Sequence, residues 1–178
     1  IDKTNEAPNE PSYFFSGYDC DSLAMESITG FAEHSLNIFE KHPNAWLELR
    51  TKSIAIKGLL KRQPIPNAVI AYSLSPESLV KATEHKTPSW ERRLEAIQQL
   101  PAAGWTVGLR FDPLIFSSDY KEVYQRFFKQ VFEVTDADKL HSVSLGTFRM
   151  PDGFFRNMVK LYPEEKLFAG PMEEQKGM

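Results

Sequence analysis

The feature of this chain that most constrains its fold is a regular alternation of short apolar runs with longer segments of helical periodicity. Short runs rich in β-branched and aromatic residues are typical of β-strands. Five such runs are present, at 13–18, 45–50, 67–74, 104–111 and 141–148. Because strands that alternate with helices pair in parallel through right-handed crossovers, the sequence predicts an α/β fold with a parallel sheet.

The clearest helical period lies in segment 119–133, where the apolar residues fall on one face. Tyr120, Val123 and Phe127 begin a stripe that repeats at the spacing of an amphipathic helix. Ser118 precedes this segment and is the predicted N-cap. Further helices are predicted at 25–40, from Thr87-Pro88 to about Leu100, and at 152–161.

Chain length narrows the choice among α/β architectures. The chain has 178 residues, of which 42% are hydrophobic, and this is enough for one core. A complete eight-stranded barrel typically needs about 250 residues, so five strands indicate either a partial barrel or an open doubly wound sheet. We predict one domain at 13–170 between polar segments at 1–12 and 171–178. Because Ile1 is not an initiator methionine, we expect a fragment of a longer protein.

Cysteine content and charge exclude several classes of site. The single cysteine, Cys20, excludes an intramolecular disulfide and any metal or iron-sulfur site built from several thiolates of this chain, so no metal ligands are predicted. A lone cysteine also suits the reducing cytoplasm. The apolar runs fall far short of the roughly 20 residues that cross a bilayer, so no membrane partner is expected. The net charge of −3 argues against a broad electrostatic contact with nucleic acid phosphates.

Polar residues gather directly after the predicted strands, and α/β proteins bind ligands at the carboxyl ends of their parallel strands. The candidate functional residues at this rim are Cys20, Ser22, Lys52, Ser73, Arg110 and Arg149. Structural alternatives exist for Lys52, Arg110 and Cys20. Lys52 also fits a solvated loop lysine, although a cation at a strand end suits a carboxylate ligand. Arg110 also fits an ion pair with Asp112 on the same strand face or with a neighbour.

Cys20 has the most specific chemical setting of these candidates. It lies at a predicted strand end between Asp19 and Asp21. Flanking carboxylates disfavour the thiolate, and a neutral thiol is a poor nucleophile but a serviceable donor of a hydrogen atom. The structural alternative is an inert buried thiol.

Four short motifs carry a resemblance to a known family. They are Cys20-Asp21-Ser22, Leu49-Arg50-Thr51-Lys52, Ala71-Tyr72-Ser73-Leu74 and the strand from Ala103-Gly104-Trp105 to Pro113. Their order and spacing resemble those of the spore photoproduct lyases. The resemblance covers about 13–169, and the chain looks like the part of such an enzyme that follows its iron-sulfur loop.

This resemblance implies a fold, an activity and cofactors. The family are radical S-adenosylmethionine enzymes on a partial (β/α)6 barrel, and they repair the thymine photoproduct of ultraviolet-damaged DNA by radical cleavage of a carbon–carbon bond. Their [4Fe-4S] cluster is held by a Cys-x3-Cys-x2-Cys motif on the first strand. Because this motif is absent from the sequence, we expect that the first strand is missing and that the chain alone is inactive.

The resemblance also implies roles for individual residues. Cys20 matches the cysteine that returns a hydrogen atom to the product radical. Ser22, Lys52 and Ser73 match positions that contact S-adenosylmethionine. The remaining two candidates, Arg110 and Arg149, have no secure counterpart in the family. They are candidates for contact with the cofactor carboxylate or with a DNA phosphate. The basic and aromatic segment with which the family probes the lesion is not recognisable here, and DNA as a partner rests on the resemblance alone.

Two other functions remain open on the sequence. One is a radical S-adenosylmethionine enzyme that acts on a different substrate. The other is a non-catalytic α/β binding module that never held a cluster. The upstream coding sequence distinguishes them, because three cysteines in the family spacing indicate an enzyme and a native start close to Ile1 indicates a module.

Overall fold

The computed structural model describes residues 10–17 and 20–174. The strands are β1 (Ser12–Ser16), β2 (Ala45–Thr51), β3 (Ala68–Ser73), β4 (Thr106–Leu114) and β5 (Leu140–Thr147). The helices are α1 (Glu26–Thr29), α2 (Phe31–Phe39), α3 (Lys57–Lys61), α4 (Glu77–Thr83), α5 (Trp90–Ala102), α6 (Tyr120–Val134) and α7 (Asp152–Leu161). Each predicted strand is therefore present, while the predicted end of the first one, Tyr18, lies outside the described residues.

The sheet has the strand order β1-β2-β3-β4-β5, and every neighbouring pair is parallel. A doubly wound sheet reverses its strand order at a switch point, whereas a barrel adds each strand beside the one before it. The sequential order therefore makes this sheet a half-barrel. This confirms the predicted α/β fold and the partial barrel, and the open doubly wound alternative is wrong.

The hydrophobic core lies between the sheet and the helices. Alternate residues of the central strands enter it, because successive side chains of a strand point to opposite faces. The core side chains of the sheet include Leu47, Leu49, Ile70, Tyr72, Leu109 and Phe111, and those of the helices include Leu36, Leu94, Ile97, Leu100, Phe127 and Val131. With the helices packed on this outer face, the other face of the sheet becomes the inner face of the half-barrel.

The inner face carries charged and small residues in register across the strands. Arg50 pairs with Ala71, and Ala71 pairs with Gly108, so two small residues follow the long side chain of Arg50 across the sheet. Glu48 lies two residues before Arg50 and shares its face. A small residue beside a long one leaves room for charged groups to reach across from neighbouring strands.

The predicted helix over 25–40 is wrong in one respect, because the structure has two helices there. Gly30 separates them with a φ of +57°, and its N–H donates to the Glu26 carbonyl oxygen, which closes α1. The Glu26 carboxylate then accepts from the N–H groups of Ala32 and Glu33, at 2.7 and 3.1 Å, and caps α2. Glycine favours the left-handed conformation that ends a helix.

The predicted N-cap of the longest helix is also wrong. Asp119, rather than Ser118, precedes α6, and its side chain makes no capping hydrogen bond. The amphipathic stripe itself is confirmed, since Val123, Phe127 and Val131 are all buried. None of the helices in the described part of the chain is both long and apolar enough to span a bilayer.

Candidate functional site

A cavity of about 630 Å³ opens at the carboxyl ends of the strands. The loops that follow β1 and β2 form part of its wall, together with the end of β4 and the loop between α4 and α5. Its polar lining includes Cys20, Asp21, Arg50, Lys52, Ser73 and Lys86. Three of the residues predicted from the sequence, namely the thiol, the lysine and the second serine, therefore lie around one cavity.

Asp21 joins the loop after β1 to the end of β2. Its Oδ1 accepts from the Thr51 hydroxyl at 2.7 Å and from the N–H groups of Leu23 and Ala24, both at 2.9 Å. Its Oδ2 accepts from the Lys52 N–H at 2.7 Å. A carboxylate with four donors is fixed in place, so Asp21 sets the position of the Cys20 backbone relative to β2.

Gly17 lets the same loop cross close to β2. It has a φ of +84°, and a Cβ at this position would lie 2.4 Å from the Arg50 carbonyl oxygen. That oxygen accepts from the Ser22 N–H at 3.0 Å. The sequence permits this approach only because glycine has no side chain and adopts a positive φ at low cost.

Cys20 is an exposed, free thiol on the lining of the cavity. The structural alternative of an inert buried thiol is therefore wrong. Of its two flanking carboxylates, Asp19 lies outside the described residues and Asp21 is engaged by backbone and hydroxyl donors. The neutral state of the thiol stays a prediction.

Lys52 is held by a carboxylate that the sequence did not point to. Its Nζ lies 2.7 Å from Oε1 of Glu84, and Oε2 of Glu84 lies 2.6 Å from Nη2 of Arg93. The Lys52 side chain is 35% exposed, whereas that of Arg93 is 0% exposed. The lysine is thus more than a solvated loop residue, because it ends a chain of charges that begins in the protein interior.

The two predicted serines have different surroundings. Ser73, at the end of β3, is largely buried and lines the cavity. Ser22 is also buried, but its hydroxyl donates to the Ser16 hydroxyl at 3.1 Å, and it is not among the residues that line the cavity. Of this pair, Ser73 is the one that lines the cavity.

Arg110 lies on the inner face and forms a bidentate ion pair with Glu48. Its Nε and Nη2 donate to the two Glu48 carboxylate oxygens at 3.0 and 2.6 Å, and Nη2 also donates to the Ser142 hydroxyl at 3.0 Å. Arg50 donates to Oε1 of Glu48 at 3.3 Å, and the Tyr13 hydroxyl donates to Oε2 at 3.2 Å. Of the two alternatives for Arg110, the structure contains the ion pair with a neighbouring side chain rather than with Asp112, and this partner reaches it across β3 from β2.

This cluster shifts the ionisation of two of its members. Burial disfavours the charged form of Glu48, but hydrogen bonds and charge attraction from Arg110 and Arg50 outweigh burial and hold the pKa of Glu48 below its usual range. Burial and the adjacent Glu48 carboxylate raise the pKa of Tyr13 to about 12. At neutral pH the cluster therefore holds a carboxylate, two guanidinium groups and a neutral phenol.

Arg149 lies outside the cavity. Its Nη2 is 3.5 Å from Oδ2 of Asp112, and its side chain is 52% exposed. Asp112 itself lines the cavity. Arg149 therefore occupies the rim close to the cavity, where an exposed cation is available to an anion from solvent.

The comparisons with known proteins agree on one family. A family model described as spore photoproduct lyase matches residues 3–177, which is nearly the whole chain. The chain belongs to the spore photoproduct lyase family. The spore photoproduct lyase of Clostridium acetobutylicum is 23% identical over 155 residues, which cover 87% of this chain and 45% of that protein.

Solved structures of spore photoproduct lyases share the fold. A double variant with bound AdoMet and dinucleoside spore photoproduct superposes with a TM-score of 0.83 at 19% identity, and it covers 92% of this chain and 48% of that one. A spore photoproduct lyase complexed with dinucleoside spore photoproduct gives 0.81 at 18% identity, over 92% and 48% of the two chains. The chain thus spans about half the length of these relatives.

The described residues of this chain do not form a metal centre. Residues 10–17 and 20–174 contain no group of three histidine, cysteine, aspartate or glutamate side chains arranged to hold a metal ion. The chain also has one cysteine, whereas the thiolate ligation of a [4Fe-4S] cluster takes several. The residues present therefore do not fit the family's cluster.

Sequence reasoning missed Glu48, Glu84 and Arg93. A signal for two of them is present, because Glu48 interrupts an apolar strand, and Arg93 falls beside Leu94 on the apolar face of α5. A charged residue at a buried position needs a partner of opposite charge. The identity of that partner depends on the packing of distant segments and carries no local signal.

Proposed function

We propose that this chain is part of a radical S-adenosylmethionine lyase that repairs the thymine photoproduct of ultraviolet-damaged DNA by cleaving its cross-linking carbon–carbon bond. Membership of the spore photoproduct lyase family supports this reaction class. The observation that carries the proposal is the cavity at the strand ends, where a thiol, an ammonium group and a hydroxyl, from Cys20, Lys52 and Ser73, line the same space.

The cavity fits S-adenosylmethionine in size and in chemistry. About 630 Å³ lies within the usual range of small-molecule sites. The Lys52 ammonium suits the carboxylate of this cofactor, and the Ser73 hydroxyl suits its ribose or amino group. When bound, S-adenosylmethionine supplies the radical chemistry that protein side chains lack. The other three candidates stay predictions, with Ser22 buried beside the cavity, Arg110 paired with Glu48, and Arg149 on the rim as a candidate for a DNA phosphate.

Cys20 acts in this proposal as the donor of a hydrogen atom to the product. Its S–H bond breaks, a C–H bond forms on the carbon-centred product radical, and the unpaired electron stays on sulfur. The exposed position of the thiol on the cavity lining supports this role, because the donor has to meet the product at van der Waals distance. The Asp21 hydrogen bonds keep the thiol beside the cofactor site during the step.

The experiment that tests this role replaces Cys20 with alanine in the protein that carries this chain together with a [4Fe-4S] cluster. We expect Cys20→Ala to cleave S-adenosylmethionine and to consume the lesion, but to release altered products in place of restored thymines. Cys20→Ser is the matched control, because it keeps the size of the side chain but has a much stronger bond to hydrogen. Normal yields of intact thymine from the alanine variant would remove Cys20 from the mechanism.

The substrate is tested by incubating the same protein with ultraviolet-irradiated DNA. Loss of the photoproduct with recovery of thymine is the expected result. Cleavage of S-adenosylmethionine without lesion reversal would instead favour the radical enzyme that acts on another substrate. DNA as a partner and the cytoplasm as the location belong to this proposal, and the exposed Arg149 is the side chain that we assign to phosphate contact.

A further inference from the structure

Glu84 lies in the loop between α4 and α5 and connects the cavity to the protein interior. One of its carboxylate oxygens is 2.7 Å from Nζ of Lys52, and the other is 2.6 Å from Nη2 of Arg93. Lys52 lines the cavity, whereas Glu84 is 9% exposed and is not among the lining residues. The Glu84 carboxylate therefore contacts Lys52 from the side of the protein interior rather than from the cavity.

Arg93 holds Glu84 firmly in this position. Its guanidinium is fully buried and also donates from Nε to the Pro88 carbonyl oxygen at 3.0 Å and from Nη2 to the Thr87 hydroxyl at 2.7 Å. Among the described residues, its Nη1 has no hydrogen-bond partner. Release of Glu84 would leave a buried positive charge without its counter-ion, which is strongly unfavourable. Glu84 consequently stays with Arg93 whether or not the cavity is filled.

Glu84 restrains Lys52 without neutralising the site. Two cations share one carboxylate, so the group of three keeps a positive charge, and Lys52 is its member on the cavity. An ammonium group has three N–H donors, of which Glu84 takes one. The long lysine side chain would otherwise sample many rotamers, and ordering it beforehand lowers the entropy cost of binding an anionic group.

The loop itself is part of the cavity wall. Lys86, Thr87 and Pro88 line it, and Lys86 adopts a φ of +61°. The Thr87 hydroxyl donates to the Glu84 carbonyl oxygen at 3.0 Å. The same buried arginine therefore fixes both the wall of the cavity and the carboxylate that orients its cation.

We propose that Glu84, anchored by the buried Arg93, is a positioning residue that pre-orients the Lys52 ammonium for the carboxylate of S-adenosylmethionine. The inference rests on the proposed function, since it takes Lys52 as the residue that meets this carboxylate. It adds a residue from a different loop to the cofactor site and assigns it an indirect role.

The test measures S-adenosylmethionine affinity by calorimetry in the cluster-loaded protein that carries this chain. Glu84→Gln keeps the shape of the side chain and removes its charge. We expect it to raise the Kd for S-adenosylmethionine by about tenfold, the loss associated with one misplaced charge-assisted hydrogen bond. The KM for the cofactor rises with it, while kcat and the absorption spectrum of the cluster stay unchanged.

A double-mutant cycle separates positioning from a general structural effect. If Glu84 acts through Lys52, the Lys52→Met variant and the Lys52→Met/Glu84→Gln double variant bind equally weakly. Glu77→Gln is the matched control, because this exposed carboxylate of α4 pairs with Lys81 away from Lys52. If Glu84→Gln fails to fold, Glu84→Gln/Arg93→Met removes both buried charges together and is expected to fold and to show the same loss of affinity.

The possible failures are distinguishable. Unchanged affinity in Lys52→Met would overturn the proposed role of Lys52 in cofactor binding. Weakened binding in Lys52→Met, with wild-type affinity in the folded Glu84 variants, would overturn positioning by Glu84 alone. Tighter binding in Glu84→Gln would mean that Glu84 competes with the ligand for Lys52, and it would also overturn the inference.

Discussion

Glu48 and Glu84 occupy similar electrostatic positions, because each carboxylate bridges two cations, yet their surroundings differ. Glu48 lies on the inner face of the sheet, is 1% exposed, and accepts from Tyr13, Arg50 and Arg110. Glu84 lies in a loop and accepts from Lys52 and Arg93. Each carboxylate has one cation among the residues that line the cavity, but the side chain of Lys52 is 35% exposed and that of Arg50 is 18% exposed. Both clusters contain a carboxylate between two cations, so this arrangement alone does not determine the role of a cluster. The number of partners around the carboxylate distinguishes a cluster that holds strands together from one that leaves a cation available to a ligand.

The largest expected effect comes from removing the charge of Glu48. Glu48→Gln leaves the guanidinium of Arg110 buried without its counter-ion, and this costs about 3 kcal/mol of the free energy of unfolding. Chemical denaturation of the wild-type and variant chains measures this loss in the free energy of unfolding. Glu48→Leu/Arg110→Met is the control, since it removes both charges and is expected to recover most of the loss. A single variant as stable as the wild type would show that the inner-face cluster does not support the fold.

The effect of Glu48→Gln on stability is also expected to depend on pH. Because the pKa of Glu48 lies below its ordinary value of 4.5 in the folded protein, its contribution to stability is present above that pH and is lost as the pH falls through the folded value. The difference in stability between wild type and Glu48→Gln therefore narrows below about pH 4.5. A difference that stays constant into strong acid would contradict the assignment of the charge to Glu48.

A smaller effect is expected at the edge of the inner-face cluster. Tyr13→Phe removes a hydrogen bond to Glu48 from a side chain that is 37% exposed, so water replaces part of it and the loss stays below about 1 kcal/mol. Because burial and the Glu48 carboxylate raise the pKa of Tyr13, the neutral phenol stabilises the fold below pH 10.0, and this contribution is lost as the pH rises through about 12. Phenolate absorbance of the two proteins should differ by one group with that midpoint.

The smallest effect on stability is expected at the cavity. Lys52→Met removes a partly exposed cation, while Glu84 keeps its buried partner Arg93, so the free energy of unfolding changes by less than about 0.5 kcal/mol. This variant reverses the pattern of Glu48→Gln, with little loss of stability and a clear loss of cofactor affinity. A large destabilisation of Lys52→Met by denaturant would erase the distinction between the two clusters.

The parallel fold was predictable from the sequence, because strand and helix periods alternate along the chain and each of the five strands appeared where its apolar run lies. The position of Cys20, Lys52 and Ser73 around one cavity was predictable for a related reason, since residues that follow parallel strands meet at one edge of the sheet. The break at Gly30 was missed because a glycine inside an apolar helical pattern is compatible with either a continuous helix or a left-handed stop.

The charge partners could not be predicted in the same way. Arg110 on β4 reaches Glu48 on β2, and this contact depends on the register of both strands with β3, which places small residues between them. Glu84 lies nine positions before Arg93, but nothing in that spacing directs its other oxygen to Lys52. Long-range register and loop conformation are properties of the packed molecule.

The position of Cys20 has a practical consequence for spectroscopy. This chain contains one thiol, it is exposed, and it lies on the cavity lining beside a loop that Asp21 fixes to β2. A thiol-reactive spin label or fluorophore would therefore attach to a single site of this chain without any engineered cysteine. The rotational freedom of the attached label would depend on whether the cavity is filled. Labelled Cys20 would therefore report on ligand binding in the cavity.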